Sequence, residues 1–137
     1  MSKRRKSREH VLKILYSRDI TKEKINDVLK CYWEGKETDP RVKDFSIQLT
    51  EGIINEIKKI DAYIEKVSEN WTLERISVID RNILRIAVHE LIFMSDIPPK
   101  VTINEAIEIA KKFGTADSSN FVNGILDKIK NELKLSN

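Results

Sequence analysis

Apolar residues return every three or four positions through most of this chain, the spacing that lines one face of an α-helix. The pattern is densest between Ser77 and Phe93, where Ile83, Leu84, Ile86, Ala87, Val88, Leu91, Ile92 and Phe93 cover most of a helical circumference. Only a narrow polar stripe remains, through Arg81, Arg85 and His89 at i, i+4 spacing. A helix so apolar belongs inside, and it reads as the central helix (78–94) that the others wrap. Ser77 followed by Asp80 forms a shortened capping box at its start, and Asp96, Pro98 and Pro99 break the chain after it.

The same spacing predicts the other elements. In SREHVLKILYSRD, Val11, Leu12, Ile14 and Leu15 share a face, and Tyr16 at its end reads as core filler before it reads as an exposed contact. Thr21 caps a second helix with Ile25, Val28, Leu29 and Tyr32 inward, ending near Trp33 and Gly35, with Cys31 packing as a small hydrophobe. GKETDP is a loop, Asp39 a cap and Pro40 a first-turn proline. Val42, Phe45, Leu49, Ile53, Ile57, Ile60, Ile64 and Val67 then continue as one long helix or two, and the weak points at Gly52 and Lys58-Lys59 favour two meeting near Lys59. Ser68 to Trp71 reads as a junction dividing the chain into halves 1–70 and 71–137 of one domain. Trp71 stands where it can staple the short helix beginning LERI or stack on a base.

Beyond the SDIPPK turn, Thr102 to Glu105 is a full capping box, which starts a helix at Ile103 and runs it to a left-handed stop at Gly114. Asp117 or Ser118 caps a last helix through Phe121, Val122, Ile125, Leu126, Ile129 and Leu133. Backbone N–H groups at that start, the hydroxyls of Ser118 and Ser119, and Lys111 describe a candidate anion site. The expected fold is all-α, a compact bundle of about seven helices in two packed halves.

Composition narrows the chemistry. Four glycines, three prolines and 34% charged residues in 137 suit helices, and a chain of this length buries about two-thirds of its unfolded surface. A single cysteine cannot form an internal disulfide, and with two histidines it leaves too few nitrogen and sulfur ligands for a zinc site, so no metal or cofactor is expected. No apolar run reaches the roughly eighteen residues of a membrane span, and the basic start lacks the apolar stretch of a signal peptide, which points to the cytoplasm. Glycine-rich phosphate loops, a nucleophile elbow and HExxH are all missing from the sequence. His89 reads as a hydrogen-bonded core histidine and His10 has no evident partner, so an enzyme is not expected.

The net charge of +3 hides an asymmetry. Residues 1–20 hold seven cations against Glu9 and Asp19, a balance of +5, and the rest of the chain sums to −2. Five of the six residues from Lys3 to Arg8 are cationic, which reads either as a footprint for nucleic-acid phosphate or as a solvated terminus. Because the run leads into an amphipathic helix, its guanidinium groups can point in fixed directions.

Three runs, DRNILRIAVHEL from Asp80, then IPPKVTINEAIEIAKKFG, then SSNFVNGILDKI, resemble the NusB family of transcription antitermination factors. The basic amino terminus and a first helix ending in LYS fit as well; the likeness is weaker between Thr21 and Asn70. It implies an all-α fold and RNA binding without catalysis. It implies pairing with NusE, a small-subunit ribosomal protein, recognition of boxA-type single-stranded RNA in nascent transcripts, and help to the RNA polymerase antitermination complex in ribosomal RNA operons.

By that resemblance, Lys3, Arg4, Arg5, Lys6 and Arg8 correspond to the arginine-rich RNA-contacting segment. Lys111, Ser118, Asn120, Phe121 and Asn123 lie at or near the RNA surface, and Trp71 faces RNA. Phe121 also suits the core by its register, and Gly124 suits a close helix contact. Tyr16, Glu74 and Asp80 are expected on the face for the protein partner, because acids beside the central helix suit a basic ribosomal protein. Monomer and homodimer both remain open. The rival classes are a protein-only helical adaptor and the regulatory domain of an RNA methyltransferase, for which the chain stops too soon at Asn137. A helix-turn-helix DNA binder is disfavoured because no second helix concentrates the basic residues.

Overall fold

The computed structural model describes residues 2–69 and 71–135, so the boundary expected at Asn70 lies outside the described residues, as do Met1, Ser136 and Asn137. Among the described residues there are seven α-helices, one 3-10 turn and no strand: α1 (Lys3–Thr21), α2 (Ile25–Trp33), α3 (Pro40–Asn55), α4 (Ile57–Val67), the turn Leu73–Arg75, α5 (Val78–Phe93), α6 (Pro99–Phe113) and α7 (Ser118–Glu132). They form two compact units, Met1–Asn55 and Glu56–Asn137. The division falls earlier than the Ser68–Trp71 junction because α4 packs on α5 and α7, which gives Ile60, Ile64 and Val67 to the second unit. The break in the long apolar pattern sits at Glu56, not Lys59.

In the first unit α1 packs on α3 and α2. Ser2 caps α1, its Oγ accepting the Arg5 N–H at 3.1 Å, so the basic run occupies the first helical turns and does not merely precede the helix. Two buried serines hold α1 against α3: Ser7 Oγ donates to the Val42 carbonyl (2.9 Å), and Ser46 Oγ lies 2.7 Å from the same oxygen and 3.4 Å from the Ser7 carbonyl. Small side chains let the backbones approach, and their hydroxyls satisfy groups that water cannot reach. Ile14, Val28 and Trp33 form the core beside α2, with Ile25, Leu29, Tyr32 and Ile47 packed on it. Asp39 caps α3 through the Arg41 N–H at 2.9 Å, with Pro40 at its first position.

Several local expectations change. Thr21 ends α1 and does not cap α2; its Oγ1 bonds the Ser17 carbonyl and accepts the Glu23 N–H. Cys31 is exposed, and so is Tyr16 (41%). His10 does have a partner: its Nδ1 lies 2.6 Å from the Tyr32 hydroxyl.

In the second unit α5 is the buried helix, with every residue from Asn82 to Leu91 shielded from solvent. Ser77 caps it as expected, accepting the Asp80 N–H at 3.2 Å. Burial extends to the polar stripe. Arg85 (5% exposed) makes a two-pronged pair with Asp61 of α4, Nε to Oδ1 at 2.9 Å and Nη2 to Oδ2 at 3.0 Å, and its Nη1 donates to Asn82 Oδ1 at 3.0 Å. Glu90 (1% exposed) accepts the Thr102 hydroxyl of α6 at 2.8 Å. That bond explains why the expected capping box fails. α6 starts a turn earlier, on Pro98 and Pro99, and Thr102 faces the core. His89 is buried beside Phe93 (centroids 5.3 Å apart), but its Nδ1 has no hydrogen-bond partner, contrary to expectation. Gly114 has φ −93°, so it is no left-handed stop; a Cβ there would collide with the Ser118 side chain, and the close approach is what requires glycine.

Asp61→Ala strands the buried Arg85 guanidinium, and urea titration should show a loss of about 3 kcal/mol, with Asp61→Leu/Arg85→Met losing less. Burial is the leading cause that holds both His10 and His89 below the ordinary histidine value. With folded pKa values below the unfolded ones, the unfolded chain binds protons first as pH falls. The melting temperature should therefore decline from about pH 7 to about pH 5, and His10→Asn/His89→Asn should flatten that decline.

Candidate nucleic-acid interface

The first candidate surface lies at the amino-terminal end of α1. That end carries the positive pole of the helix dipole and unsatisfied N–H groups, and α1 has no acid in its first turn. Cations there oppose the dipole by about 0.3–1 kcal/mol each, a cost to the helix that Lys3, Arg4, Arg5 and Lys6 all carry. An anion at this end would meet dipole and side chains of one sign. Lys3, Arg4 and Lys6 are exposed and Arg5 is half-buried. Arg8 is buried (4%) because it shares the register of Leu12 and Leu15.

α3 holds this end in place. The Arg4 guanidinium stands 4.2 Å from the centre of the Phe45 ring, and Lys3 Nζ lies 3.5 Å from Asp39 Oδ2, which also pairs with Arg41 at 3.3 Å. The Arg41 backbone N–H, then its guanidinium, holds the Asp39 carboxyl below the usual carboxylate range. Lys3, Arg4, Ser7, Arg41 and Phe45 line one cleft of about 290 Å³. Arg41 and Phe45 were not among the expected site residues; Arg41 stands next to the cap-proline pair at the start of α3, but only the fold brings it to α1.

The second candidate surface belongs to the second unit. Trp71 (49% exposed) and half-buried Phe121 together line two adjoining clefts. One, of about 210 Å³, adds Arg75, Ser77, Asp80 and Asp117; the other, of about 260 Å³, adds Glu69, Asn120, Gly124 and Lys128. Phe121 is thus at the edge of the core made by Val122, Ile125, Leu126 and Ile129. Trp71 presents its indole to a groove. Gly124 has open space beside it, so it is not the site of a close helix contact. Arg75 and Lys128 were missed; Lys128 follows Phe121 by seven positions on one face of α7, a spacing that could have found it.

The anion constellation expected at the start of α7 does not assemble. Ser118 is buried (2%), its Oγ accepting the Thr115 N–H at 2.9 Å, and Lys111 pairs with Glu108 at 3.2 Å on the surface. Asn123 is half-buried. Of the expected partner residues, Tyr16 and Glu74 are exposed, and Asp80 is half-buried at the groove with its Oδ1 lacking a hydrogen bond. Among the described residues no group of three or more histidines, cysteines or acids could hold a metal ion, and no helix is long and apolar enough to cross a membrane.

Comparison with known proteins identifies the family. The model of the NusB family matches residues 5–131. The chain is 46% identical over 132 residues to the transcription antitermination protein NusB of Chloroherpeton thalassium, covering 96% of this chain and 63% of that protein's length. It is 46% identical over 129 residues to that of Trichlorobacter lovleyi, covering 94% and 91%. T. maritima NusB has a similar structure, with a TM-score of 0.87 at 42% identity over 94% of this chain and 91% of that one. A chain from the crystal structure of antitermination factors NusB and NusE in complex with dsRNA has a TM-score of 0.86 at 27% identity, covering 96% and 98%. A family match over residues 5–131, with 46% identity to the NusB of T. lovleyi, means that this chain belongs to the NusB family.

Proposed function

We propose that this chain is a non-catalytic, RNA-binding transcription antitermination factor that acts with NusE on boxA-type RNA in nascent transcripts and promotes readthrough in ribosomal RNA operons. The observation that carries the proposal is the set of exposed cations ordered on the positive end of α1, where they oppose the helix dipole and suit phosphate. Lys3, Arg4 and Lys6 contact the backbone, while Arg5 and Arg8 support that end from less exposed positions. The NusB–NusE structure named above contains double-stranded RNA. The exposed indole of Trp71 beside Phe121 favours unpaired bases in this chain, since a stacked base contributes about 1–3 kcal/mol and a paired base is not free to stack. Asn120 and Asn123 supply amides near that groove, and Lys111 a cation on the preceding helix. Tyr16, Glu74 and Asp80 serve the basic ribosomal partner. Such a role places the chain in the cytoplasm, with nascent transcripts and RNA polymerase.

Fluorescence anisotropy of labelled boxA-type RNA, single- and double-stranded, with and without purified NusE, tests this reading. Single-stranded RNA should bind more tightly than duplex and more tightly still with NusE. A log–log salt slope of about −3 would count about four phosphates. Arg4→Ala/Arg5→Ala should weaken binding by about tenfold or more, equivalent to about 1.4 kcal/mol. Absence of RNA binding alone and with an active NusE would leave the protein-only adaptor as the function. Gly124→Ala should raise the melting temperature, because glycine inside a helix costs about 0.5–1 kcal/mol relative to alanine. The same change should weaken RNA binding by narrowing the groove.

A further inference from the structure

Beside the Phe45 cleft, and sharing Lys3 with it, the amino-terminal turns of α1, the loop joining α2 to α3 and Val42 of α3 line a cleft of about 390 Å³. Lys3, Lys6 and His10 line it from α1, at i, i+3 and i+7 spacing, and Lys36 lines it from the loop. Gly35, in the left-handed region at φ 74°, reverses the chain after α2 and lets the Lys36 N–H reach the Trp33 carbonyl at 3.1 Å. The Lys36 ammonium is then held on the wall, donating to the Tyr32 carbonyl at 2.8 Å and standing 4.2 Å from the centre of the Tyr32 ring.

Neither contact neutralises Lys36. A carbonyl and a ring face orient an ammonium and leave its charge in place. Lys6 has no carboxylate partner among the described residues. Two acids share the cleft, Glu37 and Asp39. Asp39 is already engaged by Arg41 and Lys3, which leaves Glu37 as the acid facing Lys6 and Lys36. Behind the lining residues, Tyr32 pairs with His10, and burial pushes its phenol up to about 12, so it stays protonated. Burial first, then Lys13 and Lys36, holds His10 below its ordinary value. The imidazole is neutral near pH 7 and can act as a donor without adding charge.

We propose that this cleft is a phosphate subsite for the RNA backbone, with Lys6 and Lys36 as its cations and Lys3 joining it to the basic end of α1. The inference rests on the RNA-binding function proposed above and adds Lys36, a residue outside the arginine-rich run. Its ligand is a phosphodiester and not a base, because the lining offers three ammonium groups against Glu37 and an already paired Asp39, and no tryptophan, tyrosine or phenylalanine ring. Lys36 therefore strengthens binding to any RNA strand and carries no sequence information.

The test is a salt series with the full chain, using labelled single-stranded boxA-type RNA and an unrelated RNA of equal length. Lys36→Gln should weaken both by a similar factor of about three to ten and reduce the salt slope by about 0.7 to 1. Lys36→Arg should keep the slope, and Lys6→Gln should behave like Lys36→Gln. Wild-type affinity and slope in both glutamine variants, with Arg4→Ala/Arg5→Ala still impaired, would overturn the subsite and spare the RNA reading. A loss confined to the boxA-type RNA with an unchanged slope would also overturn it, since that is base readout. No RNA binding by the wild-type chain would remove the function and the subsite together.

Discussion

Burying α5 almost completely is the constraint on which the second unit depends. A helix shielded along ten consecutive residues cannot leave its polar side chains to water, and α5 carries Arg85, Asn82 and Glu90 into the interior. Each must find a partner on another element, because an uncompensated buried charge costs several kcal/mol. Asp61 on α4 meets Arg85 in a two-pronged pair, and Thr102 on α6 meets Glu90. These partners fix the rotation of α4 and α6 about their axes as well as their distance from α5. The early start of α6 and the division of the chain before α4 follow from the same demand.

The first unit obeys a different rule. Its α1 is held to α3 by small buried hydroxyls at Ser7 and Ser46, so the two backbones run close and the first turns of α1 are supported on one side. That support makes the basic segment a surface of fixed geometry. A floating tail with the same residues would pay the ordering entropy on binding, whereas Arg4 is already laid against Phe45 and Lys3 against Asp39. The arrangement forgoes some helix stability at the positive end of the dipole, and an RNA phosphate is the kind of ligand that recovers it.

The groove around Trp71 and Phe121 divides its chemistry between two adjoining clefts. Its aromatic faces are of the kind on which unpaired bases stack, and Asn120 and Lys128 lie on one side. Asp80 and Asp117 line the other cleft, with Arg75 beside them. Two segments far apart in the chain, 67–80 and 117–128, build the groove together.

Periodicity and composition determined the all-α class, about seven helices, the burial of the helix expected at 78–94 and most of the core, because burial of an apolar stripe is a property each segment carries by itself; the helices that pack on it are α4, α6 and α7 of the second unit. Ser77 and Asp39 were legible as caps for the same reason: a cap and its N–H lie within three residues. The errors arose wherever a side chain had a choice between a local and a distant partner. Thr102 matched a capping box yet bonds Glu90 on another helix, and Arg8 belongs by spacing to a basic run but by register to the core. Lys111 and Ser118 looked convergent in sequence, and tertiary packing committed one to Glu108 and the other to Thr115. The resemblance to the NusB family pointed to the basic end of α1, Trp71 and Phe121, but not to Arg41, Phe45 or Lys36. These come to α1 only when α3 and the loop before it fold against that helix, and the sequence has no term for a contact made across thirty residues.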